Sequence, residues 1–383
     1  MYNISEETNK WLSDRWDKIE NKLSKVALRS RNKLPYTAKD GVHNDMNQSY
    51  YAWWTNGFWG GLMWLMYLGC ENNREAYKQT ALASEEMLSR IFNNFEYFDH
   101  DVGFLCHLTF GADYRITGDK KAYNKNLFAA SVLSSRYNID GKFIRAWNLK
   151  SLEGISIIDT MMNLPLLYWA SEALNDKRFT RIAKSHADMT LLQHIRSDGT
   201  VFHQVRHDVD TGDTIETLAG QGYKNTSCWS RGQAWAVYGM CISYIHTGEK
   251  RYLEAAVKCA DSFISYASQT DYFPLVDFEA PKTPIYYDST AGACTASALL
   301  ELAKYTDAKK SKEYIDSAVN LLKSIDEKCC NYDDDTDYLI GMGTERYPLK
   351  DEDMKGVHIP IIYGDFFFVE ALLKLKGSKF FIW

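Results

Sequence analysis

Prolines are scarce in this chain, 7 in 383 residues, and the eight cysteines contain no CxxC pair. Without paired-cysteine spacing, neither a zinc ribbon nor a disulfide framework is suggested, and a reduced, cytoplasmic protein is expected. Excess positive charge is also missing: the formal net charge is -6, which argues against nucleic acid or an anionic membrane as a charge-driven partner. The most apolar window, GGLMWLMYLG at 60–69, is too short to span a bilayer. The opening MYNISEETNKWLSDRW has neither the basic start nor the apolar centre of a signal peptide. HExxH, convincing zinc spacing and a phosphate-cradling glycine loop are all absent, so no metal and no organic cofactor are expected. The acidic run YDDDTDY at 332–338 lacks the glycine of a calcium hand and reads as a solvated loop.

What is abundant is aromatic. Phe, Trp and Tyr make up 14% of the chain, with 11 Trp and 25 Tyr. Most must build a core, but flat aromatic faces also hold sugar rings. Helical periodicity dominates and strand alternation is scarce. A recurring punctuation divides the helices: LGCENNREAY (68–77), ITGDKKAY (116–123), LNDKRFT (174–180), HTGEKRYL (246–253) and YTDAKKSKEY (305–314). Each is a short polar turn between an apolar helix and a second helix opened by basic residues, the form of an αα-hairpin. Reading outward predicts helix pairs 54–69 with 74–93, 101–117 with 120–137, 156–174 with 176–196, 229–247 with 249–268, and 289–306 with 309–327. A first helix near 6–32 and a last near 363–376 bring the number to about twelve. Six inner and six outer helices make an all-α (α/α)6 toroid, expected here as a single catalytic domain over 1–383.

In such a toroid the starts of the inner helices share one mouth. Those starts carry WWTNGFWGG (53–61), HDVGF (100–104), SIIDTMMNLP (156–165), SCWSRGQAWAVYG (227–239), YYDSTAG (286–292) and YGD (363–365). Acids, an arginine, a glutamine and tryptophans therefore converge from segments far apart in sequence, and Asp101 and Asp159 offer two carboxylates for acid–base work. Asp159 sits among Ile157, Ile158, Met161 and Met162, an apolar run expected to raise its pKa so that it can hold a transferable proton. The simpler reading of either acid is a helix cap.

HDVGF, IIDTMMNLPLL and CWSRGQAWAVYG, in order between WTNGFWGG and YGDFFFVEALL, resemble the unsaturated glucuronyl hydrolases of glycoside hydrolase family 88. The resemblance runs along almost the whole chain. It implies release of a 4,5-unsaturated uronic acid from the non-reducing end of lyase-generated oligosaccharides. In that chemistry an acid protonates C4 of the enol ether, water adds at C5, and the hemiketal collapses. Carried over by motif, Asp159 is the general acid and base and Asp101 the second catalytic carboxylate. Trp54, Trp147 and Trp235 match ring-stacking or wall positions. Arg231 offers a planar fork to a uronate, and His203 matches a pocket histidine. Thr217, Ala219 and Gln221 fall in the family's pocket-lining loop, where relatives commonly have a histidine at the position of Gly220. Serines that some relatives use for sulfated sugars are not evident in KGVHIPIIYGD. The alternatives are an unsaturated rhamnogalacturonyl hydrolase, whose Trp-Gly-Arg-Gly pattern differs from WSRGQAW here, and a non-catalytic glycan-binding toroid. A toroidal sugar epimerase would lean on paired histidines rather than acids.

Overall fold

The computed structural model describes residues 2–383. Twelve long helices alternate between an inner and an outer ring. The outer helices are α1 (Glu6–Arg29), α3 (Arg74–Leu88), α5 (Lys120–Ser135), α7 (Arg178–Gln193), α9 (Lys250–Ala267) and α11 (Ala308–Cys329). The inner ones are α2 (Asn56–Gly69), α4 (102–117), α6 (Leu164–Leu174), α8 (Ser230–Thr247), α10 (Ser289–Leu302) and α12 (Ile362–Leu375). Neighbouring inner helices pack side by side, and α12 closes the ring against α2. The result is the all-α toroid that the hairpin punctuation predicts.

Residue choice explains the two rings. Every residue of α10 is buried, as is the run Ser230–Ser243 of α8, and these helices have no polar face. On α9, by contrast, Tyr252, Ala255, Ala256, Cys259, Ala260 and Phe263 form a single buried stripe. The connecting turns are made by specific caps. Gly118 and Gly248 end α4 and α8 in the left-handed region, at φ 80° and 70°, where a side chain would be strained. Asp119 and Asp307 start α5 and α11 by accepting two backbone N–H bonds each.

The structure departs from a pure helical reading in several places, among them two short hairpins, Ala38–Lys39 with Val42–His43 and Tyr137–Asn138 with Phe143–Ile144. Residues His107–Gly111 of α4 form a π-turn. The predicted helix over 156–174 begins instead with a strand, β1 (Ile155–Ile157), and a 3-10 turn, Ile158–Met162, before α6 starts. Finally, β1 joins β2 (Gln204–His207) and β3 (Thr214–Leu218) in an antiparallel sheet, with Ser156 opposite Val205 and Val205 opposite Thr217. The acidic loop is also only partly solvated: Asp337 turns inward to pair with Arg29 and accept the His43 N–H. Among the described residues no helix is long and apolar enough to cross a membrane.

Candidate active site

A cleft of about 590 Å³ opens at the mouth of the ring, where the inner helices begin. Its walls include Trp54 from before α2, His100 and Asp101 from before α4, Asp159 from the turn before α6, Arg231 from the first turn of α8 and Tyr363 from α12. Convergence of these segments is what the sequence predicts. Trp54 stacks on Tyr363 with ring centroids 5.2 Å apart, and Trp147 meets His100 edge-on.

The acids are not caps. Asp101 precedes α4 without capping it, and no side chain caps the turn holding Asp159 or the start of α6. Asp101 Oδ1 instead accepts a hydrogen bond from Asn163 Nδ2 at 3.0 Å, and Oδ2 lies 3.4 Å from His100 Nε2. The same Asn163 amide reaches the Asp159 carbonyl, and Asn163 Oδ1 accepts the Phe104 N–H, so one asparagine ties α4 to the Asp159 turn. Asp159 Oδ2 faces His203 Nε2 at 3.3 Å. His203 is held from behind, where its Nδ1 accepts the Gln221 N–H at 2.9 Å.

These neighbours reverse one expectation. Burial drives the Asp101 carboxyl well above the usual carboxylate range, and the charges of Asp99 and Asp159 add to it. Burial pushes Asp159 upward too, but the His203 ring nitrogen facing it, with the positive Arg231 beyond, outweighs burial and holds Asp159 below its ordinary value. The elevation of Asp159 expected from its apolar chain neighbours is therefore reversed. Its chain neighbours are apolar; its spatial neighbours are basic. His100 is itself forced neutral by burial, to about 3.

The remaining predicted residues divide. Trp54, Trp147, Gln221 and Arg231 line the cleft, and His203 stands behind Asp159. Arg231 does not present a free fork. Its NH1 group donates to Asp288 Oδ2 at 2.5 Å and to the Thr344 carbonyl at 2.7 Å, while NH2 donates to the Glu345 carbonyl at 2.7 Å. Only Nε lacks a partner, and the guanidinium lies over Trp229 and Tyr363. It anchors the wall as much as it could touch a ligand. Trp235 is completely buried against Phe104 and Phe367 and belongs to the core, not the cleft. Thr217 and Ala219 do not line the cleft either. Thr217 pairs with Val205 in the sheet, and the Ala219 carbonyl lies 3.2 Å from His203 Nδ1.

Gly220 has a physical reason. Its φ is +59°, and an added Cβ would lie 2.1 Å from His203 Nδ1. A histidine there is incompatible with this path of the loop.

Sequence reasoning passed over Tyr36, Tyr50, Trp53, Asp99, His100, Gln204, Glu345 and Arg346, which also line the cleft. His100 opens the HDVGF segment and was open to recognition; Tyr36, Glu345 and Arg346 arrive on long links without periodic signal. Glu345 is fixed by a hydrogen bond from Tyr36 Oη. Among the described residues no group of three or more His, Cys, Asp or Glu side chains could hold a metal ion.

Comparison with known proteins gives concordant results. The Glycosyl Hydrolase Family 88 profile matches residues 26–245. An unsaturated glucuronyl hydrolase of Bacillus sp. (strain GL1) is 34% identical over 341 residues, 86% of this chain and 88% of that protein. An unsaturated chondroitin disaccharide hydrolase of Streptococcus agalactiae is 31% identical over 340 residues, 86% of this chain and 83% of that protein. The crystal structure of the unsaturated glucuronyl hydrolase from Bacillus sp. GL1, responsible for the degradation of glycosaminoglycan, superposes with a TM-score of 0.84 at 31% identity, covering 94% of this chain and 96% of that one.

Proposed function

Because the chain belongs to glycoside hydrolase family 88, we propose that it releases a 4,5-unsaturated uronic acid from the non-reducing end of lyase-generated oligosaccharides. The observation that carries this reading is the meeting of Asp101 and Asp159 across Asn163 in one aromatic-walled cleft. Protonation at C4 of the enol ether leaves an oxocarbenium centre at C5. Water adds there and loses a proton, and the hemiketal opens to free the leaving sugar. Asp159 gives the proton to carbon and takes one back from water. His203 beside it holds its carboxyl below the ordinary value. An arriving uronate brings a like charge and excludes water, and both raise the pKa of Asp159 towards that of a donor.

A second assignment is favoured by the elevated carboxyl of Asp101. Held protonated by burial and by its acidic neighbours, Asp101 supplies the proton and ionised Asp159 activates water. Either assignment uses a pair of carboxyls whose surroundings push their pKa values apart. Trp54 and Trp147 wall the bound rings. The catalytic unit is the single toroid, it uses no cofactor, and it works in the cytoplasm, a setting supported by its eight free cysteines. Incubation with an unsaturated uronyl disaccharide tests the function: the conjugated ultraviolet absorbance of the uronide decays. A purified, folded chain that leaves the absorbance of a panel of lyase-generated disaccharides unchanged refutes it.

A further inference from the structure

The β1–β2 segment next to the cleft also carries a polar system that the proposed chemistry does not touch. Ser156, His194 and His207 are buried, and the Ser156 hydroxyl lies between the two imidazoles, 2.8 Å from His194 Nε2 and 2.7 Å from His207 Nε2. The direction of these bonds follows from a fourth group. His194 Nδ1 lies 3.0 Å from the Phe202 carbonyl, and only an N–H can satisfy that oxygen. With both rings neutral, His194 Nε2 is then bare and accepts the single hydroxyl proton of Ser156. Since Ser156 has one proton to give, His207 Nε2 in turn carries its own proton and donates to Ser156 Oγ, in preference to a bond from the ring to the Gly212 backbone; its Nδ1 makes no hydrogen bond. Burial keeps both rings neutral, lowering His194 to about 3 and His207 to about 4. His207 is further fixed by stacking on Phe143 at 4.4 Å.

This chain of bonds ends where the site begins. Ser156 lies three residues before Asp159, and Phe202 directly precedes His203. The Ile158 N–H donates to the His203 carbonyl at 3.0 Å, so the sheet joins the two segments immediately before Asp159 and His203 face each other. We propose that Ser156, His194 and His207 form a one-way hydrogen-bonded clamp that sets Asp159 against His203, making them positioning residues for the proton-transfer step. This rests on the function proposed above; the geometry of the clamp does not.

Two measurements separate those layers. In the full chain without substrate, histidine ¹⁵N spectra should show His194 Nε2 and His207 Nδ1 as the unprotonated nitrogens, and Ser156→Ala should shift the His203 signals. Kinetically, Ser156→Ala should lower kcat about ten- to a hundredfold while KM stays within about twofold, as expected when a reacting group is displaced and substrate binding is untouched. His207→Gln returns an N–H near the place of Nε2 and should keep more turnover than His207→Phe, which fills the space without a donor. A wild-type spectrum with His194 Nε2 protonated overturns the clamp. So does a folded Ser156→Ala with wild-type kcat, or equal turnover in the two His207 variants. If Ser156→Ala does not fold, the His207 pair and the wild-type spectrum decide. Should the chain turn over no unsaturated disaccharide, the functional reading fails, and the spectra still decide the clamp.

Discussion

Asp101 and Asp159 are equally buried, 8% and 7% exposed, yet their carboxyls are driven in opposite directions. Asp101 stands beside Asp99, and the Asn163 amide, the more distant Arg136 charge and a neutral His100 do not offset its burial. Asp159 faces His203, with Arg231 further across the cleft. Burial alone would raise both. The difference teaches that the neighbouring groups, not depth, decide which carboxyl is raised here, and that the β1–β2–β3 side of the cleft supplies His203 as the deciding neighbour of Asp159.

The largest expected effect breaks this pair at Asp159. Asp159→Asn keeps the shape but removes the ionisable group, and steady-state assays should show turnover falling by about a hundred- to ten-thousandfold with KM little changed. Near-normal turnover would remove Asp159 from the chemistry. Next comes the loop behind His203. Gly220→Ala forces a side chain into the space of the imidazole at a positive φ, so His203 must move and kcat should drop by about tenfold to a hundredfold. Unchanged kcat would show that the position of His203 does not matter.

A smaller effect sharpens the contrast through stability. Asp101 has a folded-state pKa above its unfolded value, so its contribution is fully present below the ordinary carboxylate range and is lost as pH rises through the folded pKa. Asp101→Asn mimics the protonated form, so it should raise the denaturation midpoint at neutral pH, and this gain should vanish near pH 3.8 and below. Asp159 has the opposite sign: its contribution is present above the unfolded pKa and is lost only as pH falls through a folded value below 3.8. Asp159→Asn should therefore give no such gain. Equal midpoint shifts in the two variants would erase the distinction. The smallest kinetic effect is expected at Arg231. Arg231→Lys keeps the charge but loses the fork that gathers Asp288 and the Thr344 and Glu345 carbonyls. A loss of about 2 kcal/mol in denaturant unfolding, with a modest rise in KM, would mark it as mainly a wall anchor. A large KM increase without destabilisation would make it chiefly a substrate-binding group.

Much of this molecule is legible in its sequence because local chemistry repeats. Turns such as ITGDKKAY contain both the left-handed glycine that ends one helix and the aspartate that starts the next. Convergence of Trp54, Asp101, Asp159 and Arg231 follows once the helices are paired. What escaped depends on contacts between distant segments. Strand β3 is mostly exposed and polar, so only its pairing with β2 reveals it. Trp235 shares the CWSRGQAW segment with Arg231, but it lies one helical turn further in, about 6 Å, and that step takes it from cleft to core. The sign of the Asp159 shift was hidden for the same reason: Ile157, Ile158, Met161 and Met162 are adjacent in sequence, whereas His203 reaches Asp159 through the sheet.

The measurement that tests the account most directly is where solvent enters the product. With an unsaturated disaccharide turned over in deuterated water, deuterium should appear at C4 of the released uronate, and ¹⁸O-labelled water should mark C5, because the carboxyl pair delivers a proton to carbon and water follows. Oxygen label only at the anomeric carbon, with no deuterium at C4, would mean ordinary two-carboxylate glycoside displacement and would contradict it.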